Sequence, residues 1–233
     1  MTTTDCRVGE GQRLGAEPLD AFFARAPRLA LAFSGGTDSS YLLMAAVEAG
    51  CEVGAYCVKT AFQADFELED ARLVLDEVRM RHPEADVGFR VLELDILSQD
   101  DICANPPDRC YLCKRFILGA VRAATERDGY GVLVDGTNAS DDPARRPGFR
   151  ALAELGVVSP LRRAGMTKED VRAASRAIGA PTADKPSFSC LATAVAQGDP
   201  LTEASLARAA RERGVEGGRR PWGKDPGDRA EPR

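Results

Sequence analysis

The segment that most constrains the fold is Ser34-Gly-Gly-Thr-Asp-Ser-Ser40, which follows the apolar run Leu29–Phe33 and leads into a helical pattern beginning near Asp38. A strand, a glycine turn and a helix in this order direct free N–H groups and the positive end of a helix dipole at one small volume. Gly35 and Gly36 let the backbone approach a phosphate closely. Hydroxyl donors surround it, from Ser34, Thr37, Ser39 and Ser40. We therefore expect an anion site here rather than an ordinary serine-capped turn, although no Gly-Lys-Ser/Thr follows and the loop is not a Walker A loop.

Strand-like and helix-like segments alternate along most of the chain. Strands are expected at Leu29–Phe33, Glu52–Val58, Phe89–Leu94, Val132–Asp135 and Val157–Pro160. Helices are expected at Ser39–Ala49, Phe66–Arg81 and Cys113–Arg127, from Thr167 to near Gly179, and at Leu201–Arg213. This order predicts an α/β fold with a parallel sheet covered by helices on both faces, with a short C-terminal extension. Ligands of such sheets bind at the carboxyl ends of the strands, so the loops that follow the strands should converge.

A second loop, Asp135-Gly136-Thr137-Asn138, closes the fourth predicted strand. Its small polar groups suit the ribose and α-phosphate of a nucleotide held by the first loop, although such a sequence is also common in plain turns. Asp38 and Asp135 are candidate Mg²⁺ partners, because magnesium takes one or two carboxylates together with phosphate oxygens. For Asp38 the alternative is a helix cap.

Composition restricts the classes of function. The 233 residues carry a net charge of −5, which argues against a broad nucleic-acid-binding face. No apolar run has the length of a membrane span, and the first residues do not resemble a signal peptide, so we expect a cytoplasmic protein. The single histidine, His82, precedes Pro83 at the end of a polar helical pattern and is expected at the surface, which argues against histidine-centred zinc or acid–base chemistry.

Three of the seven cysteines form the other candidate site. Cys110-Tyr-Leu-Cys113 precedes a helical pattern, and Cys190 lies far downstream. In a reducing compartment such thiols are ligands, reactive groups or small core residues rather than disulfides. Zinc binding that recruits Cys103, dithiol redox exchange and an iron–sulfur cluster with one open iron all remain possible from the residues alone.

Together these segments resemble the LarE family of ATP-dependent sulfur transferases, which belongs to the ATP pyrophosphatases, or PP-loop proteins. The matching motifs cover roughly residues 28 to 202 in the family's order: Ser34-Gly-Gly-Thr-Asp-Ser39, Leu68-Glu-Asp-Ala71, Asn105-Pro-Pro-Asp-Arg-Cys110-Tyr-Leu-Cys113-Lys114, Asp135-Gly-Thr-Asn138, Arg146-Pro-Gly148, Ser159-Pro-Leu161, Gly165-Met-Thr-Lys168, Asp184-Lys-Pro186 and Cys190-Leu-Ala192.

The resemblance implies an adenine nucleotide alpha-hydrolase-like fold that uses ATP and Mg²⁺. It implies that the enzyme adenylylates a carboxylate of a pyridinium dicarboxylate mononucleotide. Sulfur then displaces AMP to give a thiocarboxylate, on the route to a nickel-pincer nucleotide cofactor. In some members the cysteine matching Cys190 gives up its sulfur; in others, three cysteines matching Cys110, Cys113 and Cys190 hold a [4Fe–4S] cluster. Lys114 and Lys185 are candidates for neutralising phosphate or oxyanion charge, or are solvated surface lysines.

The expected organisation is a helical lead-in at 1–27, a PP-loop domain at 28–186, a shortened sulfur-transfer region at 187–213 and a disordered tail at 214–233. In the tail, Arg219-Arg220 is expected to be solvated; the alternative is that it replaces a phosphate-binding pair of the family. Expected partners are a carboxylate-bearing nucleotide, sulfide or a sulfur-donor protein, and a second copy of the chain, with no membrane and no nucleic acid. The family's Ser-Arg and Tyr-Gly after Cys-Leu-Ala are replaced here by Thr193–Gly198. Alternative functions are an amide-forming ligase, a tRNA thiolase or a nucleotide-binding protein without catalysis.

Overall fold

Four parallel strands form one sheet in the order β3–β2–β1–β4. They are β1 (Arg28–Ala32), β2 (Glu52–Lys59), β3 (Val87–Glu93) and β4 (Leu133–Asp135). The computed structural model describes Gly15 and residues 17–220. Because β2 lies on one side of β1 and β4 on the other, the strand order reverses beside the carboxyl end of β1, which is where parallel sheets bind ligands.

The helices have the following bounds: α1 (Leu19–Arg25), α2 (Thr37–Glu48), α3 (Asp65–Arg81), α4 (Asp100–Cys103), α5 (Arg109–Arg127), α6 (Gly148–Glu154), α7 (Pro160–Arg163), α8 (Lys168–Ala177) and α9 (Glu203–Glu212). Short 3₁₀ turns lie at Ile96–Ser98, Leu191–Ala194 and Glu216–Gly218. Within the described residues, no helix is both long and apolar enough to cross a membrane.

Both faces of the sheet are covered, as the sequence predicts. Leu29 and Leu31 of β1 belong to a core cluster shared with α2, α3 and α8. Ala30, between them, belongs to a second cluster with residues of α5 and α6. Side chains alternate between the two faces of a strand, so fully apolar strands need helices on both sides.

The predicted fifth strand is wrong. Only one bridge forms there, between Val158 and Val134. Val158 exchanges backbone hydrogen bonds with Leu133 and Asp135, at 2.9 Å each, and Pro160 then starts α7. Proline has no N–H to donate and favours the first position of a helix, so pairing stops.

A third cluster holds the C-terminal region against the sheet domain. Leu191 and Leu206 pack in one buried cluster with Phe62 and Ile102, and the Leu191 N–H donates to the Phe62 carbonyl at 2.8 Å. Residues 214–220 of the expected tail include the 3₁₀ turn Glu216–Gly218, and residues 221–233 lie outside the described part of the chain. The domain boundaries remain predictions.

Candidate active site

The first loop, residues 34–40, is closed by its own side chains. The Ser34 and Ser39 hydroxyls lie 3.0 Å apart, and the Gly36 N–H donates to Ser34 Oγ at 3.3 Å. Thr37 donates to the Thr182 carbonyl at 2.9 Å, and Ser40 is fully buried. All four hydroxyls were expected to surround a ligand; Ser34 and Thr37 line the cavity between the loops, whereas Ser39 and Ser40 are buried and do not line it.

Gly35 allows the first loop to touch helix α3. Its φ is +66°, and a Cβ atom there would lie 2.7 Å from the backbone N and Cα of Ala71. Other residues avoid this left-handed conformation, and the contact leaves no room for a side chain. The loop backbone is thus fixed beside the amino end of α2.

The second loop, residues 135–138, meets the first loop as predicted. A Cβ atom on Gly136 would lie 2.8 Å from the Ser39 nitrogen, so the two backbones are in contact. The Asp135 carboxylate accepts hydrogen bonds from the hydroxyls of Thr137 and Ser159, both at 2.6 Å. Asp135 therefore organises its own loop, and its oxygens are already engaged.

A cavity of about 400 Å³ lies where the loops converge. It is lined by Ser34, Gly36, Thr37, Asp38, Glu67, Asn138, Ser140, Asp141, Arg146, Lys168, Lys185, Pro186, Ser187 and Phe188. A second cavity of about 140 Å³ shares Ser34 and Glu67 with it and extends over the carboxyl ends of β1 and β2. Burial raises the pKa of Glu67 at this junction. Together the cavities suit an elongated ligand with a polar and a flatter, more apolar part.

Asp38 has one paired and one unpaired oxygen. Oδ2 lies 2.6 Å from Lys168 Nζ, whereas Oδ1 is buried with no hydrogen-bond partner in the described residues. Gly36 is the N-cap of α2 and Asp38 makes no capping hydrogen bond, so the helix-cap alternative is wrong. A buried unpaired carboxylate oxygen beside a cavity of nucleotide size fits a Mg²⁺ ligand.

Lys185 is not a solvated lysine. Its ammonium lies 2.7 Å from Asp70 Oδ2 and donates to the Gly35 carbonyl at 3.0 Å. Arg220 donates to the other oxygen of Asp70, Oδ1, from Nε at 3.0 Å and from Nη2 at 2.7 Å. The expectation of a solvated Arg220 is therefore wrong, because this residue is 8% exposed.

The three candidate cysteines come together as predicted. Helix α5 starts one turn earlier than expected, which puts Cys110 and Cys113 in its first two turns, and Cys190 precedes the 3₁₀ turn Leu191–Ala194. All three line a cavity of about 300 Å³. Burial raises the pKa of Cys113 to about 12 and also raises the pKa of Cys190. Neither thiol ionises readily at neutral pH in this state.

The cysteines do not form a ready-made cluster site. Among the described residues, no group of three or more His, Cys, Asp or Glu side chains is arranged to hold a metal ion. The [4Fe–4S] prediction thus has shared location in its favour but lacks the ligand arrangement that such a cluster requires.

Two arginines near the cysteines were not predicted as site residues. Arg109 is buried, donates to Cys110 Sγ at 3.4 Å and lines the same cavity. Arg213, next to the end of α9, donates to the Cys190 carbonyl at 3.2 Å and to Thr193 Oγ1 at 2.8 Å. Arg109 lies inside the matching motif that ends in Cys110-Tyr-Leu-Cys113-Lys114, which was its signal in the sequence, whereas Arg213 had none.

Lys114 connects the two halves of the site. It lines the cysteine cavity, and its ammonium lies 3.5 Å from Asp135 Oδ2 in the second loop. Ile117, one turn further along α5, lines both the cysteine cavity and the cavity of about 140 Å³ at the carboxyl ends of β1 and β2. One face of one helix thus borders both.

The chain is similar to three curated proteins. A protein of Synechocystis, of uncharacterised function, is 30% identical over 196 residues, or 84% of this chain and 70% of that protein. An uncharacterised protein of Methanocaldococcus jannaschii is 31% identical over 147 residues, covering 62% of this chain and 52% of that protein. The pyridinium-3,5-bisthiocarboxylic acid mononucleotide synthase of Lactiplantibacillus plantarum is 28% identical over 183 residues, covering 78% of this chain and 64% of that protein. The matches thus span between about half and 70% of these relatives' lengths.

No protein-family model matches the chain. Among solved structures, the NMN synthetase from Francisella tularensis superimposes with a TM-score of 0.59 at 14% identity, covering 85% of this chain and 84% of that one. This likeness shows the PP-loop fold. With the two loops, the nucleotide-sized cavity and the relatives, it leads to one conclusion: the chain belongs to the LarE-like family of PP-loop proteins.

Proposed function

We propose that this protein is an ATP-dependent sulfur transferase. It would adenylylate a carboxylate of a pyridinium dicarboxylate mononucleotide and replace the AMP with sulfur. The observation that best supports this proposal is the position of Lys114, which lines the cysteine cavity while its Nζ lies 3.5 Å from Asp135 Oδ2 of the second loop. A nucleotide and a sulfur donor on either side of this side chain would be close enough to react with one acceptor.

In the first step, a carboxylate oxygen attacks the α-phosphorus of ATP and pyrophosphate leaves with the bonding electrons. Asp38, through its unpaired Oδ1, would hold Mg²⁺ on the phosphates. Lys168 and Lys185 lie at the same cavity and would neutralise the pyrophosphate. The acyl adenylate has AMP as leaving group, whereas a free carboxylate offers only oxide.

In the second step, sulfur attacks the acyl carbon and AMP leaves. If the sulfur is that of Cys190, a thioester forms; removal of the Cα proton then breaks the Cβ–Sγ bond and leaves dehydroalanine and the thiocarboxylate. If the nucleophile is hydrosulfide, it forms the thiocarboxylate directly and a proton is released. Cys110 and Cys113 would retain the sulfur donor beside Cys190.

The decisive experiment combines ATP, Mg²⁺ and a pyridinium dicarboxylate mononucleotide with anaerobically purified protein. We expect acceptor-dependent pyrophosphate release and a thiocarboxylate product, both reduced in Lys114→Met and retained in Arg115→Gln, a control on the same helix outside the cavity. Pyrophosphate release with ammonia incorporated into the product would instead support an amide-forming ligase. Nucleotide binding with no acceptor-dependent release would support a non-catalytic protein.

The role of the cysteines is tested separately. Iron and acid-labile sulfide in wild type, lost in Cys110→Ala, Cys113→Ala and Cys190→Ala, would establish the cluster of the sequence-based hypothesis. Wild type without iron that loses one H₂S from Cys190 per turnover would establish the sacrificed cysteine. The cytoplasmic location, the second copy and the sulfur-donor protein remain predictions.

A further inference from the structure

The cysteine cavity contains a buried cation with an unused donor. Arg109 is 8% exposed and donates a hydrogen bond from Nη2 to Cys110 Sγ at 3.4 Å. Its Nη1 is buried and has no hydrogen-bond partner in the described residues. A buried charged donor without a partner is costly, so native proteins supply one from the chain, from water or from a ligand.

The rest of the cavity selects the kind of ligand. Its lining contains the apolar side chains of Phe62, Ile117 and Leu118, the three thiols, and two cations, Arg109 and Lys114, but no Asp or Glu. A space of about 300 Å³ is in the range of small organic ligands and far larger than one ion needs. Cations set in apolar walls suit a flat organic acid, because the walls cover the ring while the cations bind the carboxylate.

We propose that this cavity binds the acid ring of the acceptor, with Arg109 Nη1 and Lys114 Nζ holding one of its carboxylates. The inference rests on the proposed function and names a specificity-determining pair for it. A free phosphate fits less well, because it has no apolar surface to lie against the Phe62, Ile117 and Leu118 walls of the cavity. Lys114 also approaches Asp135 at 3.5 Å, so an acid held here would border both the nucleotide loop and the thiols.

Titration calorimetry on the full-length, reduced protein tests the subsite with pyridine-3,5-dicarboxylate as probe. The uncharged pyridine-3,5-dicarboxamide serves as a matched ligand. We expect the dicarboxylate to bind wild type and Arg115→Gln alike, and to bind Arg109→Gln about tenfold more weakly, since a charge-assisted hydrogen bond is lost. If Arg109→Gln does not fold, as judged by its thermal transition, Arg109→Lys and Lys114→Gln carry the test with the same expectation of weaker binding.

Equal affinity for wild type and the Arg109 variants, equal binding of the dicarboxamide, or no binding to wild type would overturn the subsite. Arg109-dependent binding of hydrosulfide in place of the dicarboxylate would overturn it too, since the cavity would then receive the sulfur donor. The transferase function is judged by a different readout, acceptor-dependent pyrophosphate release. If wild type binds the dicarboxylate but shows no acceptor-dependent pyrophosphate release, the transferase function is wrong and the subsite stands.

Discussion

Lys168 Nζ lies 2.6 Å from Asp38 Oδ2 across the cavity formed by the two loops, while Asp38 Oδ1 is buried without a hydrogen-bond partner in the described residues. The lysine and the carboxylate are far apart in sequence, and the packing of α8 on α2 brings them together. The pair leaves one carboxylate oxygen without a partner and keeps one cation at the cavity, as the proposed binding of Mg²⁺ and phosphate requires.

Asp38→Asn should weaken Mg²⁺-dependent ATP binding by about tenfold or more, because an amide oxygen carries no charge for the metal. Lys168→Ala should weaken ATP binding with and without Mg²⁺, since it removes a cation from the cavity. Calorimetric titration of ATP in both conditions checks this. Arg176→Ala is the control, because Arg176 lies elsewhere on α8 and its ion pair with Asp184 is exposed. An equal loss of ATP affinity in this variant would contradict the assignment.

Arg220 should stabilise the folded protein through Asp70. Arg220→Gln leaves the Asp70 carboxylate paired with Lys185, so we expect a loss of about 1–3 kcal/mol in the free energy of unfolding, below the cost of a fully unpaired buried charge. Asp70→Asn should cost more, because two cations then lose their carboxylate. Urea unfolding measures both, and the exposed neighbour Arg219→Gln is the control. Similar stability of the two arginine variants would contradict the buried pairing.

The two glycines of the first loop, Gly35 and Gly36, should differ in how well they tolerate replacement by alanine. Gly35→Ala forces a Cβ against the Ala71 backbone at a φ of +66°, whereas Gly36→Ala meets only the Ser34 hydroxyl at 3.3 Å. We expect Gly35→Ala to lose at least about 1–2 kcal/mol of stability from the backbone conformation alone and most ATP binding. Gly36→Ala should lose less of both. Thermal unfolding and ATP titration measure these effects, and the reverse order would show that the loop is not held against α3.

Cys57 should make stability depend on pH in alkaline solution. Burial raises the pKa of this thiol from 9.0 to about 11. Because the folded pKa is above the unfolded one, the neutral thiol's contribution is complete below pH 9 and is lost as pH rises through 11. The stability difference between wild type and Cys57→Ala should therefore shrink by about 1–2 kcal/mol between about pH 7 and about pH 10. A constant difference in urea unfolding would contradict this.

The sheet and both loops could be predicted because their signals are local. Apolar runs with glycine turns predict strand ends, and parallel pairing then brings the first and second loops together at the strand termini. A strand was predicted at Val157–Pro160, but only a single bridge forms there, at Val158. The apolar pair Val157-Val158 looks like the start of a strand, and Pro160 prevents the strand from continuing because it starts α7.

The long-range pairs could not be predicted in this way. Lys168, Arg213 and Arg220 each reach the site through packing between segments far apart in sequence. No periodicity records which carboxylate or carbonyl such a side chain will meet. Arg220 shows the limit most clearly, since its polar surroundings in sequence predict solvent, whereas its contact with Asp70 buries it.

The central claim is that adenylation and sulfur transfer use different parts of one site. Single-turnover analysis of Cys190→Ala, with Cys103→Ala as a control outside the cysteine cavity, tests it most directly. With ATP, the pyridinium dicarboxylate mononucleotide and no added sulfide, we predict that Cys190→Ala releases pyrophosphate as wild type does but forms no thiocarboxylate. Thiocarboxylate formed by Cys190→Ala at the wild-type rate would contradict the account.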